Sequence, residues 1–137
     1  MTGWLEYLRL ATEHQASDVF FVAGKPACEK LEGRIQPLSE ERLLPAHTEQ
    51  ILGEIYKAAD RDMDRFLALG DDDFSFAVPG LARFRVNTYR QRGSLAAVIR
   101  LVSFDIPDWK TLQIPAQVMD VAELTSGMVL VTGTAGS

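Results

Sequence analysis

Three consecutive antiparallel strands are predicted within one stretch of the chain, and this stretch constrains the fold more than any other. Between residues 73 and 102 the sequence reads DFSFAVPGLARFRVNTYRQRGSLAAVIRLV. In the first two of these strands, apolar and polar residues alternate with a period of two, which is the pattern of strands that have one buried face. The segments Pro79-Gly80 and Arg92-Gly93-Ser94 interrupt the alternation with residues typical of tight turns. The sequence therefore predicts a sheet formed by two successive hairpins.

Three arginines lie on this predicted sheet. Arg83 and Arg85 point away from the apolar face of the second strand. The third strand, Leu95 to Val102, is apolar on both faces except for Arg100, and such a strand holds a lone arginine only where an anionic partner is present. Cations on adjacent strands suit phosphate binding, because arginine makes bidentate contacts with phosphate. A solvated face whose arginines pair with acidic side chains explains the same residues equally well.

The segment from residue 127 to residue 137, GMVLVTGTAGS, begins like a strand and continues like a phosphate-binding loop. An apolar run followed by glycines is how the P-loop pattern G-x-x-x-x-G-K-[ST] opens. The second glycine, the lysine and the final Ser/Thr of that pattern do not follow within the sequence. We expect Met128 to Thr132 to form a strand. The candidate phosphate-contacting residues after it are Gly133, Thr134, Ala135, Gly136 and Ser137.

Composition argues against several other classes of protein. The chain is 47% hydrophobic and 24% charged, which is ordinary for a globular protein. Its net charge of −5 disfavours nucleic acid as the main partner, since phosphate contacts need a basic surface. We expect no transmembrane helix and no signal peptide, because no apolar run is long enough and the start lacks a basic and apolar leader. The single cysteine, Cys28, fits a reducing cytoplasm.

The remaining elements are predicted to be helices and short strands, and they show no catalytic constellation. His14 and His47 are isolated on predicted helices, and no Ser/His/Asp or Cys/His set is visible. The acidic run Asp71-Asp72-Asp73 is predicted to be a turn that enters the first strand of the central stretch. It lacks the further spaced oxygen ligands of a calcium loop, so we predict no metal site. Predicted helices cover residues 3–15, 45–59, 60–69 and 117–124, and predicted strands cover 18–23, 27–31 and 34–37.

Taken together, these stretches resemble the N-terminal part of the PilT-type twitching-motility ATPases. These are the retraction motors of type IV pili, within the type II/IV secretion ATPase superfamily. The resemblance covers nearly the whole chain and departs from the family at Thr134-Ala135, where Pro-Thr is usual. Because backbone N–H groups hold the phosphates, this departure does not remove phosphate binding. The matching motifs are ASD at 16–18, AGKP at 23–26, DFSFxVPGxARFRVN at 73–87 and GxVLVTGxxGS at 127–137.

The resemblance implies an α/β (α+β) fold with a particular domain organisation. Residues 1–103 would be a PAS-like domain whose antiparallel sheet has helices on one face. Residues 104–127 would be a linker with a short helix, and residues 128–137 would be the first strand and incomplete P-loop of a truncated RecA-like domain. In PilT-like hexamers, arginines of the N-terminal domain approach the nucleotide. This makes Arg85 and Arg100 our first candidates for contact with phosphate and Arg83 our second.

The resemblance also implies cofactors and partners. ATP and Mg²⁺ are expected in a complete motor, while these residues alone are expected to be inactive. Expected partners are further copies in a hexamer and the pilus machinery of the inner membrane. Apart from the resemblance, an apolar strand at Met128 to Thr132 needs a partner, either an edge of the chain's own sheet or the same segment of a second copy, and we expect the second, a dimer formed through the tail. The motor would be cytoplasmic and peripheral to the inner face of the cell membrane. The alternative is a free-standing PAS-like sensor or protein-interaction domain, which would need a closed apolar pocket inside the sheet.

Overall fold

The computed structural model of the chain describes residues 3–134 and divides at residue 104 into two compact units. The first unit begins with a helix and three strands, continues with two helices, and ends with three further strands. Its elements are α1 (Trp4–Glu13), β1 (Asp18–Phe21), β2 (Pro26–Leu31), β3 (Arg34–Arg42), α2 (Pro45–Ala58), α3 (Asp64–Leu69), β4 (Asp71–Val78), β5 (Ala82–Gln91) and β6 (Ser94–Val102).

The six strands form one sheet in the order β3-β2-β1-β6-β5-β4, and all neighbouring strands are antiparallel. Two local meanders, β1 to β3 and β4 to β6, are joined where β1 pairs with β6. Arg92 and Gly93 both have positive φ, +50° and +81°, which is the geometry of the two-residue hairpin turn between β5 and β6. The predicted antiparallel α/β fold is confirmed.

Helices cover one face of the sheet, and the other face is open. In β4 and β5 alternate side chains are buried, and the residues between them are exposed or only partly buried. The buried set includes Phe74, Phe84 and Val86. Helix aromatic rings pack against sheet rings on this buried face, as expected for a core that lies between two layers. The ring pairs are Trp4–Phe76, Tyr7–Phe21 and Tyr56–Phe74, with centroids 6.1, 6.0 and 4.7 Å apart.

Three element boundaries in the first unit differ from those that the sequence predicts. Strand β3 continues to Arg42 instead of ending at residue 37. Helix α3 begins at Asp64, because Asp60 has a φ of +51° after the end of α2 and cannot cap a helix there. The acidic run Asp71-Asp72-Asp73 is not a turn, because its three residues pair with Tyr89, Thr88 and Asn87 of β5. Cross-strand hydrogen bonding here overrides the low strand propensity of aspartate.

The second unit contains little regular structure in its described part, residues 105–134. A short helix, α4 (Ala116–Met119), is followed by a 3₁₀ turn (Asp120–Glu123), where the sequence predicts one helix over 117–124. The strand predicted at Met128 to Thr132 is not formed, and its backbone is irregular. A strand needs a neighbouring strand for its hydrogen bonds, and residues 105–134 include none. Within residues 3–134 we find no helix that is both long and apolar enough to cross a membrane.

Candidate arginine site on the open sheet face

Two of the predicted site residues face each other directly across neighbouring strands. Arg85 of β5 is the register partner of Arg100 of β6. Both side chains lie on the open face and are 66% and 69% exposed. Like charges placed directly opposite each other destabilise a sheet unless other groups compensate them. The structure therefore needs anionic partners for this pair, and it supplies one from each flanking strand.

Arg85 is held by Asp73 of the edge strand β4. Its Nε donates to Asp73 Oδ1 at 3.2 Å, and its Nη2 donates to Asp73 Oδ2 at 2.9 Å. These bonds lower the pKa of the Asp73 carboxyl and raise the pKa of the Arg85 guanidinium. Both partners are substantially exposed, so water and salt screen the pair and it contributes little to folding.

Arg100 is held by Asp18 of the central strand β1, its register partner on the side away from Arg85. Arg100 Nε donates to Asp18 Oδ1 at 3.1 Å. The Asp18 side chain is only 7% exposed, and the Ser17 hydroxyl donates to Asp18 Oδ2 at 2.8 Å. Asp18 is therefore the anionic partner that the sequence requires for Arg100, although Arg100 itself is exposed and not buried in its strand.

Arg83 lies on the same open face, two residues before Arg85 in β5. It is exposed and forms no salt bridge with any residue of the described part of the chain. Asp73 and Asp18 each pair with one of the other two arginines, so Arg83 is the member of the cluster without a carboxylate partner in the described range. Arg85 and Arg100, but not Arg83, line an open depression of about 240 Å³. Its lining residues are Asp18, Asp73, Arg85, Asn87, Val98 and Arg100.

The predicted phosphate-loop residues are described only in part. Gly133 and Thr134 are exposed and lie in irregular backbone. Ala135, Gly136 and Ser137 lie outside the described residues. Within residues 3–134 we find no group of three or more His, Cys, Asp and Glu side chains placed to hold a metal ion. The arginine cluster is therefore the part of the predicted site whose geometry the structure describes.

The structure also shows a charged network on the helix-covered face that the sequence analysis missed. Arg61 donates from Nε and Nη2 to the two carboxylate oxygens of Asp72, each at 2.8 Å. The Tyr56 hydroxyl lies 2.9 Å from Asp72 Oδ2 and 2.9 Å from Thr88 Oγ1. Arg61 lowers the pKa of Asp72 to about 2, and burial raises the pKa of Tyr56 to about 12. The sequence did contain a signal for this network, because extending the two-residue period of β4 back from Phe74 places Asp72 on the same, helix-covered face.

Neither histidine is isolated in the structure. His14 Nδ1 lies 2.8 Å from Oε1 of Glu29, whose side chain is 1% exposed, and Gln36 Nε2 donates to the same oxygen. His47 Nδ1 accepts the backbone N–H of Leu44 at 3.1 Å, at the start of α2. Both histidines therefore satisfy polar groups of the fold, and neither lies in the arginine cluster.

The chain is similar in sequence to ATPases of type IV pili. The chain is 32% identical over 131 residues to the type IV pilus ATPase PilU of Pseudomonas aeruginosa, which covers 95% of the chain and 34% of that protein. It is 32% identical over 136 residues to the type IV pilus retraction ATPase PilT of the same organism, with 96% and 38% covered. The chain thus spans less than two fifths of the length of these relatives. No protein-family model matches it.

Solved structures agree with this similarity. The crystal structure of the pilus retraction motor PilT with bound ADP superimposes with a TM-score of 0.82 at 35% identity, over 100% of this chain and 40% of that one. The described sheet and helices align with the N-terminal domain of that motor. The ATPase DotB of Legionella pneumophila has a TM-score of 0.73 at 24% identity, over 95% of this chain and 37% of that one, and supports the fold alone.

Proposed function

We propose that this chain, which belongs to the PilT-type secretion ATPases and matches their N-terminal part, is the N-terminal module of an ATP-driven motor for type IV pilus retraction. In this role it does not carry out the phosphate chemistry itself. It supplies arginines to a nucleotide that the ATPase domain holds. Arg85 and Arg100 make the first contacts with the phosphates, and Arg83 adds a third positive charge.

The observation that carries this proposal is the direct opposition of Arg85 and Arg100 on an exposed, open sheet face. Two guanidinium groups at one place match the spread negative charge of a triphosphate. In phosphoryl transfer, an arginine that reaches the phosphates from outside the nucleotide domain stabilises the charge of the transition state. The open face is accessible for this purpose because the helices cover the opposite face.

The proposal includes the cofactors and partners that such a motor needs. ATP and Mg²⁺ bind in the ATPase domain, whose phosphate loop begins with Gly133 to Ser137. Six copies assemble so that the arginine face of one copy meets a nucleotide, and the motor acts on the pilus machinery from the cytoplasmic side of the inner membrane. The names of the relatives, pilus ATPases and a retraction motor with bound ADP, support the nucleotide and the pilus as parts of this proposal.

A second kind of self-association is proposed for the 137-residue chain itself. Met128, Val129, Leu130 and Val131 are 53–93% exposed. Large apolar side chains that are exposed in series favour association, because burying each one is worth about 1.5–3 kcal/mol. We expect this segment to join two copies of the chain.

The alternative function, a free-standing sensor, is less well supported. A sensor of the predicted PAS-like type needs an apolar cavity between the sheet and its helices. Here aromatic rings such as Tyr56, Phe66 and Phe74 pack against one another in that layer. The polar open face instead carries the three arginines, which favours a module that contacts an anion.

The test uses the complete ATPase that contains these residues. Arg85→Ala and Arg100→Ala are each expected to lower kcat about ten- to a hundredfold, the loss of one charge-assisted contact to phosphate. Arg9→Ala is the matched control, because Arg9 is an exposed arginine on α1 whose salt-bridge partner in the 3–134 range is Glu6 of the same helix. Melting temperatures are measured for all three variants. Normal hydrolysis by both site variants, or early melting of both, would overturn the proposal.

A further inference from the structure

We propose that Asp18 is a positioning residue that holds Arg100 ready for a phosphate, whereas Asp73 is a competitor that a phosphate displaces from Arg85. The inference rests on the proposed function, in which both arginines contact phosphate. It assigns different roles to two carboxylates that look alike in sequence. The difference follows from which nitrogen atoms each carboxylate occupies and from how firmly each carboxylate is held.

Asp18 leaves the phosphate-binding end of Arg100 free. A guanidinium group has five N–H bonds, one on Nε and two on each terminal nitrogen. Asp18 takes only the Nε proton, at 3.1 Å. Neither terminal nitrogen of Arg100 has a hydrogen-bond partner among residues 3–134. The four remaining N–H bonds lie on the two terminal nitrogens, and the outward-facing pair of them forms a planar fork that can bind phosphate with two parallel hydrogen bonds.

Asp18 is also fixed in place. Its side chain is 7% exposed on a central strand, between β2 and β6. Its second oxygen accepts the Ser17 hydroxyl at 2.8 Å. The only other charged register partner of Asp18 is Lys30 on β2. A carboxylate held in this way restricts the long Arg100 side chain before any ligand arrives, so less side-chain freedom is lost on binding.

Asp73 differs in both respects. It occupies Nε and Nη2 of Arg85 together, so the whole side-on edge of this guanidinium is closed to phosphate until the pair breaks, whereas Asp18 takes only one of the two N–H bonds on the corresponding edge of Arg100. It lies on the edge strand β4 and is 48% exposed. Exposed ion pairs are weak and exchange readily with other anions. A phosphate that approaches the open face therefore replaces Asp73 at Arg85 but binds beside Asp18 at Arg100.

The first test examines positioning without a ligand, by NMR of the arginine Nε–H signals in the 137-residue chain. The Nε–H of Arg100 is expected to exchange slowly with water in the unmodified chain and rapidly in Asp18→Asn, because the neutral amide accepts a weaker bond. Ser17→Ala is a second, milder variant that leaves the carboxylate in place and is expected to give intermediate exchange. Equally fast Arg100 Nε–H exchange in the unmodified chain and in both variants would overturn the positioning role.

The second test titrates the same proteins with inorganic triphosphate at constant ionic strength. Asp18→Asn is expected to weaken binding about two- to tenfold, the cost of immobilising one long side chain. Asp73→Asn is expected to strengthen binding up to about fivefold, because an exposed competing pair is removed. Charge alone predicts that both variants bind more tightly, since each removes one negative charge. Tighter binding by Asp18→Asn would therefore show that Asp18 only competes, and would overturn the inference.

Two further variants separate this inference from the proposed function. Arg85→Lys and Arg100→Lys keep the charge but lose the planar fork, so each is expected to weaken triphosphate binding several-fold. If neither change alters binding, the arginines do not hold phosphate and the proposed function fails. If both weaken binding but Asp18→Asn and Asp73→Asn change it in the same direction, the proposed function stands and the division of roles fails.

Discussion

Asp72 and Asp73 are consecutive residues of β4, yet each is bound by an arginine on a different face of the sheet. Asp72 pairs with Arg61 on the helix-covered face, and Asp73 pairs with Arg85 on the open face. Successive side chains of a strand point to opposite faces, so two adjacent aspartates serve two separate networks. The first network is partly buried and stabilises the fold, and the second belongs to the candidate site.

The network around Asp72 makes the stability of the fold depend on pH. The pKa of Asp72 falls from 3.8 to about 2 on folding, because Arg61 and Tyr56 bind its charged form. Its contribution is complete above pH 3.8 and is lost as the pH falls through about 2. Asp72→Asn is expected to lower the free energy of unfolding by about 1.5–3 kcal/mol at neutral pH. Urea unfolding measured between pH 7 and pH 2 checks this, and the gap between variant and unmodified chain should narrow towards pH 2.

Asp71→Asn is the matched control for that experiment. Asp71 is exposed on the same strand and makes no salt bridge with a residue of the 3–134 range. We expect its substitution to change stability by less than about 0.5 kcal/mol. A gap for Asp72→Asn that is equally large at both ends of the pH range would mean that packing, and not the ion pair, is what was lost.

Two glycines are expected to respond oppositely to alanine. Gly53 lies inside α2, and a methyl group there would have no atom within 4 Å. Gly53→Ala should raise the free energy of unfolding by about 0.5–1 kcal/mol, because glycine is a poor helix former. Gly70 ends α3 with a φ of +89°, which alanine adopts only with strain, so Gly70→Ala should lower it by about 1 kcal/mol or more. Thermal melts of both variants check the signs, and two shifts in the same direction would contradict the expectation.

The 137-residue chain is expected not to hydrolyse ATP. Its sequence contains no complete G-x-x-x-x-G-K-[ST] pattern, so the lysine and hydroxyl that hold phosphate and Mg²⁺ in P-loop enzymes are missing from it. Arginines that stabilise a transition state have nothing to act on without those groups. Phosphate release is measured with purified chain, with Arg85→Ala as the control for contaminating activity. Turnover that scales with protein, survives repurification and falls in the control would refute this prediction.

Self-association through the exposed segment 128–131 is expected to be concentration-dependent. Light scattering should show dimers of the 137-residue chain, and Leu130→Asp should weaken them about tenfold or more, because one large apolar contact is lost. Thr125→Asp adds the same charge outside the apolar segment and serves as the control. Equal association of the two variants would mean that this segment is not the interface.

The sequence was most informative where the hydrophobic period is strict. Alternation predicts β5 and most of β4, the apolar run from Leu95 to Val102 predicts β6, and the residues between these strands are typical of tight turns. The predictions were less accurate where a long-range contact decides the structure. Asp71 and Asp72 join β4 because β5 lies beside them, and β3 extends to Arg42 although Pro37 looks like a strand end. Local propensity contains no information about such neighbours.

The placement of the three arginines on one sheet face was predictable from the sequence, but their partners were not. A lone Arg100 in an apolar strand indicates that an anion is nearby, and this reasoning needs only the sequence. Identifying that anion as Asp18 needs the register of β1 against β6, which joins residues 82 positions apart. The pairing of His14 with Glu29 has the same origin, since it depends on how α1 packs over the sheet.

The pairing of β1 with β6 has a consequence for the order of folding. Each meander contains only local contacts, whereas the central pair joins the beginning of the domain to its end. During synthesis β1 has β2 on one side, but its other edge stays unpaired until residue 102 has left the ribosome. Closing so long a loop is slow, and an unpaired central strand is prone to aggregation. The last strand made, which carries Arg100, is therefore also the strand that completes the sheet.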